Sequence, residues 1–258
     1  MNHTPAANSP ISSLLIAPDF SPEHLGGWHI FNTALQRHTG SAIRLFTSSS
    51  AAEMRETLAA NPPSIIYANP FDAAALVRQN NYLPLARPAQ KSDEILIAAH
   101  TNSDARKHTD LKAGMRIALT DNQDIKLIGL RLLEAADLRE DDLHWLPAPS
   151  YQAAARLLIQ GQADAAFFLA DSYHALSDIS KKHMRVLLES HICDISHVIL
   201  LHPSHQERRL QLRAFLCGIK NEENGQAILH GLGLPAGFEK LDQEEVEFMI
   251  DLMQTLLD

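Results

Sequence analysis

Short runs of β-forming residues alternate with amphipathic stretches along most of the chain, and this alternation restricts the fold more than any other feature. Ser13–Ala17, Ala42–Phe46 and Ser64–Ala68 each read as a strand. Each precedes a helical pattern: residues 23–38 with Leu25, Trp28, Phe31 and Leu35 on one face, a helix capped by Ser50 with Glu53 at the capping-box distance, and a helix after Asn69-Pro70-Phe71 running through Gln79. Parallel strands need such crossovers, so strands alternating with helices predict a parallel α/β sheet.

Leu83–Ala86 and Glu94–His100 are further strands, and a second run of the same kind begins near Asn102. It holds the strand and helix within Met115–Leu127, a strand at Leu143–Leu146, a helix over Ser150–Gln160 and strands at Asp164–Leu169 and Arg185–Leu188. Asp171–Ser180 reads as turns. His191–His202 is an extended, apolar-rich segment suited to carrying the chain back, and helices near 206–217, 225–230 and 243–257 close the sequence. The pattern therefore predicts a tail over residues 1–11, a discontinuous first lobe of 12–99 plus 200–258, and a second lobe of 100–199. Two crossings make a hinge, and a cleft between two α/β lobes is a place for a ligand.

With 258 residues the chain can bury two modest cores, and a net charge of −9 without a basic run argues against a phosphate-backbone partner, so no nucleic acid is expected. Two cysteines, Cys193 and Cys217, give no disulfide framework. No run approaches eighteen apolar residues, so no membrane insertion is expected, and the first ten residues do not read as an export signal. The expectation is a cytoplasmic protein, with a periplasmic one as the alternative if a signal has been removed.

Met115–Leu127 is the most informative stretch: a short strand, a polar turn and an amphipathic helix. A helix start offers unpaired N–H groups and the positive end of the dipole, which favours a ligand's negative group. The turn, however, is Thr120-Asp121-Asn122-Gln123-Asp124, with one hydroxyl and two carboxylates. A carboxylate there satisfies the N–H groups from within. It also repels an anion by roughly 4 kcal/mol at ~4 Å and an effective dielectric of ~20.

Four stretches carry a family resemblance: Trp28–Gly40, Ile65–Phe71, Asp110-Leu-Lys-Ala-Gly-Met-Arg-Ile-Ala118 and Gly161-Gln-Ala-Asp-Ala-Ala166. In order and spacing, over roughly residues 12–218, they resemble the phosphate/phosphite/phosphonate substrate-binding proteins of ABC transporters. The resemblance implies an α/β fold of the type II periplasmic-binding-protein kind: two lobes, each a mostly parallel sheet flanked by helices, joined by a two-strand hinge. It also implies a small-molecule ligand enclosed between the lobes. Relatives carry a Ser/Thr-rich turn after the strand that Met115 opens, and many carry a His where this chain has Ser150-Tyr151. Those departures point to a neutral, zwitterionic or cationic ligand.

Phe20, Tyr67, Asn69, Phe71, Thr120, Asp121, Asn122, Tyr151 and Asp171 fall at predicted strand ends and are the candidate ligand-binding residues, though each also suits a helix cap or loop closure. His191, Cys193 and His197 would share a face if their segment were a strand, but their spacing matches no closed zinc motif, and no metal or cofactor is expected. No G-x-S-x-G, phosphate-cradling glycine loop or C-x-x-C is present, so no catalytic residue is assigned. The leading expectation is a cytoplasmic binding or sensing protein. The alternatives are an enzyme on the same fold, similar to the menaquinone-pathway dehydratase or thiamine-pyrimidine synthases, and an interaction module. Val246, Met249, Ile250, Met253, Leu256 and Leu257 form an apolar stripe that suits packing on the first lobe or a homodimer contact. A signalling or transport partner stays open.

Overall fold

A computed structural model describes residues 10–20 and 22–255. In chain order its strands and longer helices are β1 (Ser13–Ile16), α1 (Leu25–Thr39), β2 (Arg44–Thr47), α2 (Ala51–Ala60), β3 (Ile65–Ala68), α3 (Pro70–Arg78), β4 (Leu83–Pro88) and β5 (Ile95–His100). These are followed by β6 (Arg116–Leu119), α4 (Gln123–Leu133), β7 (His144–Pro147), α5 (Tyr151–Ile159), β8 (Ala165–Leu169), α6 (Ala170–His174), α7 (Asp178–Lys181) and β9 (Met184–Glu189). Then come β10 (Val198–Leu201), α8 (Arg209–Gly218), α9 (Gly225–Gly231), β11 (Phe238–Lys240) and α10 (Gln243–Thr255). Asp171–Ser180, expected as turns, holds the short helices α6 and α7.

The chain divides into two compact units. The first comprises the chain up to Ser49, Glu53–Lys91 and Ser196–Asp251. Its sheet runs β11-β4-β10-β3-β1-β2. β1 lies parallel to β2 and β3, while β10 enters antiparallel between β3 and β4. The apolar runs Leu14–Ala17 and Ile65–Ala68 are buried on both faces, which is why their sequences do not alternate. One face packs against Trp28, Phe31 and Leu35 of α1 with Leu212, Phe215 and Leu216 of α8. The other packs against Ala73, Leu76 and Val77 of α3 with Val246, Met249 and Ile250 of α10. Ile11, placed in the tail by the sequence reading, is fully buried in this core, and the rest of that expected tail, residues 1–9 apart from Pro10, lies outside the described residues.

The second unit comprises Ser50–Ala52, Ser92–Ile195 and the chain from Leu252 onward. Its sheet runs β7-β6-β8-β5-β9, with β6 parallel to β7 and β8 and with β5 antiparallel to both β8 and β9. Strand β5, expected in the first lobe, belongs here because Ile95–Ala99 is wholly buried and takes neighbours on both edges from this unit. Within α10, Met253 counts with this unit's core, so the apolar stripe is divided, and Leu256 and Leu257 lie outside the described residues.

Both sheets are mixed, and the reason is the same in each. The strands followed by crossover helices run one way, and a strand delivered from the other unit inserts antiparallel among them, β10 in the first sheet and β5 in the second, while β11 adds a further antiparallel strand at the β4 edge of the first.

Candidate functional site

In an α/β sheet of this kind a ligand sits beyond the carboxyl ends of the parallel strands, where helix N-termini converge. Each unit presents such an edge.

In the first unit, β1 and β3 end side by side, and Ala17 N–H donates to Tyr67 O at 2.8 Å. The chain beyond β3 turns at Asn69, which caps α3 by accepting from Asp72 N–H at 2.8 Å, with Pro70 suited to the first helical position. The other end of the same amide does more. Its Nδ2 donates to Asp19 Oδ2 at 3.2 Å and to Asp72 Oδ2 at 3.1 Å, so its two hydrogens serve two carboxylates. His197 Nε2 stands 3.8 Å from Asp19 Oδ2. Its ring stacks on Tyr67 at 4.9 Å and 21°. Tyr67 in turn contacts Trp28 at 4.8 Å, and Phe20 meets the Trp28 ring edge-on at 6.5 Å. Asp19, Asn69, Asp72 and His197 are 8, 2, 8 and 4 % exposed. Burial pushes the Asp72 carboxyl up, the Asn69 hydrogen bond and the Arg55 charge pull it down, and the nearby Asp19 raises it again, with the net shift upward.

In the second unit, β6, β7 and β8 end together. Asn122 caps α4 by accepting from Ile125 N–H at 3.3 Å, and Ser150 caps α5 by accepting from Ala153 N–H at 3.2 Å. Thr120 is buried, and its hydroxyl has no hydrogen-bond partner among the described residues. Asp124 is buried within the first turn of α4. Asp121 is exposed, and its Oδ2 accepts the N–H of Ala52, one of the three residues 50–52 that pack with this unit, at 3.1 Å. Tyr151 is buried at the start of α5 with its ring 6.4 Å from that of Phe168. Asp171 is exposed at the start of α6.

Where β8 and β9 end, the half-buried Glu94 carboxylate gathers the N–H groups of Ile192 and Cys193 at 2.9 and 3.0 Å, the Ser92 hydroxyl at 2.8 Å and a hydrogen bond from Ser190. Burial pushes this carboxyl up, but those hydrogen bonds outweigh it and hold it below its ordinary value.

Of the expected residues, Phe20, Tyr67 and Asn69 therefore gather in the first unit, and Thr120, Asp121, Asn122, Tyr151 and Asp171 lie along the strand-end edge of the second. Phe71 lines a separate pocket between α2 and α3. Sequence reasoning missed Asp19, Asp72 and His197. An inserted antiparallel strand begins at the edge where its parallel neighbours end, so the residue before Val198 belonged among the candidates. His197 is instead buried on Tyr67, while His191 and Cys193 are exposed and their segment forms no strand. Among the described residues no group of three or more His, Cys, Asp or Glu side chains is placed to hold a metal ion.

The family model of the ABC transporter phosphonate periplasmic substrate-binding proteins matches residues 14–246. The chain belongs to that family. Its fold is that of the type II periplasmic binding proteins. PhnD1 from Prochlorococcus marinus, solved with methylphosphonate, superposes with a TM-score of 0.80 at 11 % identity over 95 % of this chain and 98 % of its own. A binding-protein component of an ABC phosphonate transporter from Pseudomonas aeruginosa gives 0.78 at 15 % identity over 96 % and 87 %. The periplasmic aliphatic sulphonate binding protein SsuA from Escherichia coli gives 0.67 at 16 % over 96 % and 92 %. No curated relative matches the chain. No helix among the described residues is long and apolar enough to cross a membrane.

Proposed function

We propose that this family member binds a small solute bearing a cationic group, ammonium or guanidinium, as the binding component of an ABC-type importer. The observation that carries the ligand class is the buried Asp19–Asn69–Asp72–His197 cluster beside Tyr67 and Phe20. Two buried carboxylates, Asp19 and Asp72, share the Asn69 amide, and acidic groups gathered in this way attract a cation. A cation beside the partly buried Phe20 ring is favoured by both charge and quadrupole. The turn at the start of α4 supports the same reading, because Asp121 and the buried Asp124 place carboxylates at that helix start, where they disfavour an anion.

Ligand contacts are assigned to Phe20, Tyr67 and Asn69 of one unit and to Thr120, Asp121, Asn122, Tyr151 and Asp171 of the other, with Asp19 and His197 added. The family's description as periplasmic favours an exported protein over the cytoplasmic sensor expected from the sequence. A thermal-shift screen of amines, zwitterions and alkylphosphonates tests the ligand class. At ~100-fold excess over its dissociation constant a ligand adds about 2.7 kcal/mol to stability. Amines that lack a carboxylate are expected to raise the melting temperature and to lose that effect in Asp19→Asn. A screen in which only oxyanions shift melting overturns the ligand class.

A further inference from the structure

A cavity of about 380 Å³ lies in the first unit between α2 and α3. Leu58, Pro62, Ala75 and Leu76 give it apolar walls, and Arg55 and Asp72 both line it. Tyr82 also lines it, but its hydroxyl is already committed, donating to Pro63 O at 2.8 Å. A cavity of this size with apolar walls and a few polar groups is the ordinary form of a small-molecule site. Arg55 is exposed and makes no hydrogen bond or ion pair among the described residues, yet its charge acts on Asp72. A guanidinium and a carboxylate thus stand as neighbours beside an apolar pocket.

We propose that this pocket binds a small apolar α-amino acid, its carboxylate on Arg55, its ammonium on Asp72 and its side chain against Leu58, Pro62 and Leu76. A guanidinium offers paired N–H donors matched to a carboxylate, and a buried carboxylate is relieved by an ammonium. A purely anionic ligand would meet Asp72, and a purely cationic one would meet Arg55, so the zwitterion alone satisfies both. Burial already costs the Asp72 charge stability, and a bound ammonium offsets that cost. This pocket adjoins the Asp19 cluster and shares Asp72 with it, whereas Arg55 and Leu58 line the pocket alone.

Isothermal titration calorimetry of the full chain with L-leucine tests the proposal. Saturable binding is expected, weakened about tenfold or more by Arg55→Ala and by Asp72→Asn, the usual effect of losing a charged hydrogen bond. Leu58→Trp, which fills the pocket from its wall, is expected to abolish binding. 4-Methylpentanoate, without the ammonium, and 3-methylbutylamine, without the carboxylate, are each expected to bind about tenfold or more weakly than L-leucine. Arg55 is exposed, so its replacement leaves packing intact. Absence of saturable binding to the unaltered protein overturns the proposal. Binding that survives Arg55→Ala and Leu58→Trp but is lost in Asp19→Asn also overturns it, by placing L-leucine in the Asp19 cluster instead.

Discussion

Asn69 caps a helix with its oxygen and divides its nitrogen between Asp19 and Asp72. Removing it takes away more than a cap. Loss of an N-cap costs about 1 kcal/mol, and stranding buried acceptors adds about 1–3 kcal/mol, so Asn69→Ala is expected to lower unfolding stability by roughly 2–4 kcal/mol, measured by urea denaturation. Asp72 gives a sign to the pH dependence. Its folded carboxyl titrates above its ordinary value, so between about pH 4 and that raised value the folded state binds the extra proton. Its contribution therefore favours folding at the acid end of that window and is lost as pH rises through the folded value. Asp72→Asn is expected to show a smaller fall in stability from pH 4 to pH 7 than the unaltered chain. A larger fall would contradict the burial argument. Glu94 has the opposite sign. Its carboxyl is held low, so its stabilisation is present above the ordinary value and lost as pH falls through the folded one. Glu94→Gln is expected to cost about 1–2 kcal/mol at pH 7 and less at pH 3.

At the scale of elements, one contact limits how α1 meets α9. A Cβ on Gly27 would stand 2.1 Å from Gly231 O, a backbone atom that cannot swing aside. Gly27→Ala is therefore expected to destabilise by about 1–3 kcal/mol despite its higher helix propensity, read as a lowered melting temperature. The elements themselves were largely legible. Trp28, Phe31 and Leu35 recur at helical spacing and bury together, and the Asn69-Pro70 and Ser150 signals mark the true starts of α3 and α5. Two things were not. Phe238–Lys240 forms β11 with only Phe238 buried, too short and mixed for a strand pattern. The other is the partner that Glu53 takes at Ser49, accepting from its N–H at 2.7 Å and from its hydroxyl at 2.6 Å.

At the scale of the whole molecule, the alternation of strand and helix conveyed two α/β units, but not which unit owns each strand. Ile95–Ala99 is apolar on both faces, and such a run is equally content in either sheet. Its partners Ala165–Leu169 and Met184–Glu189 lie far along the chain, beyond what local pattern can specify. The same limit hid part of the candidate site. Asp19, Asn69 and His197 come from three distant points of the sequence, and only the insertion of β10 beside β3 brings the histidine to the strand-end edge. The acidic turn, by contrast, was readable, because Thr120–Asp124 is continuous and its caps follow from local chemistry alone.

On the proposed reading, this member of a family described by phosphonate binding has a site made for a cation. Calorimetric titration with methylphosphonate tests it most directly. No saturable binding is expected, because the Asp121 and Asp124 carboxylates at the start of α4 repel an oxyanion. Saturable methylphosphonate binding to the unaltered protein would contradict it.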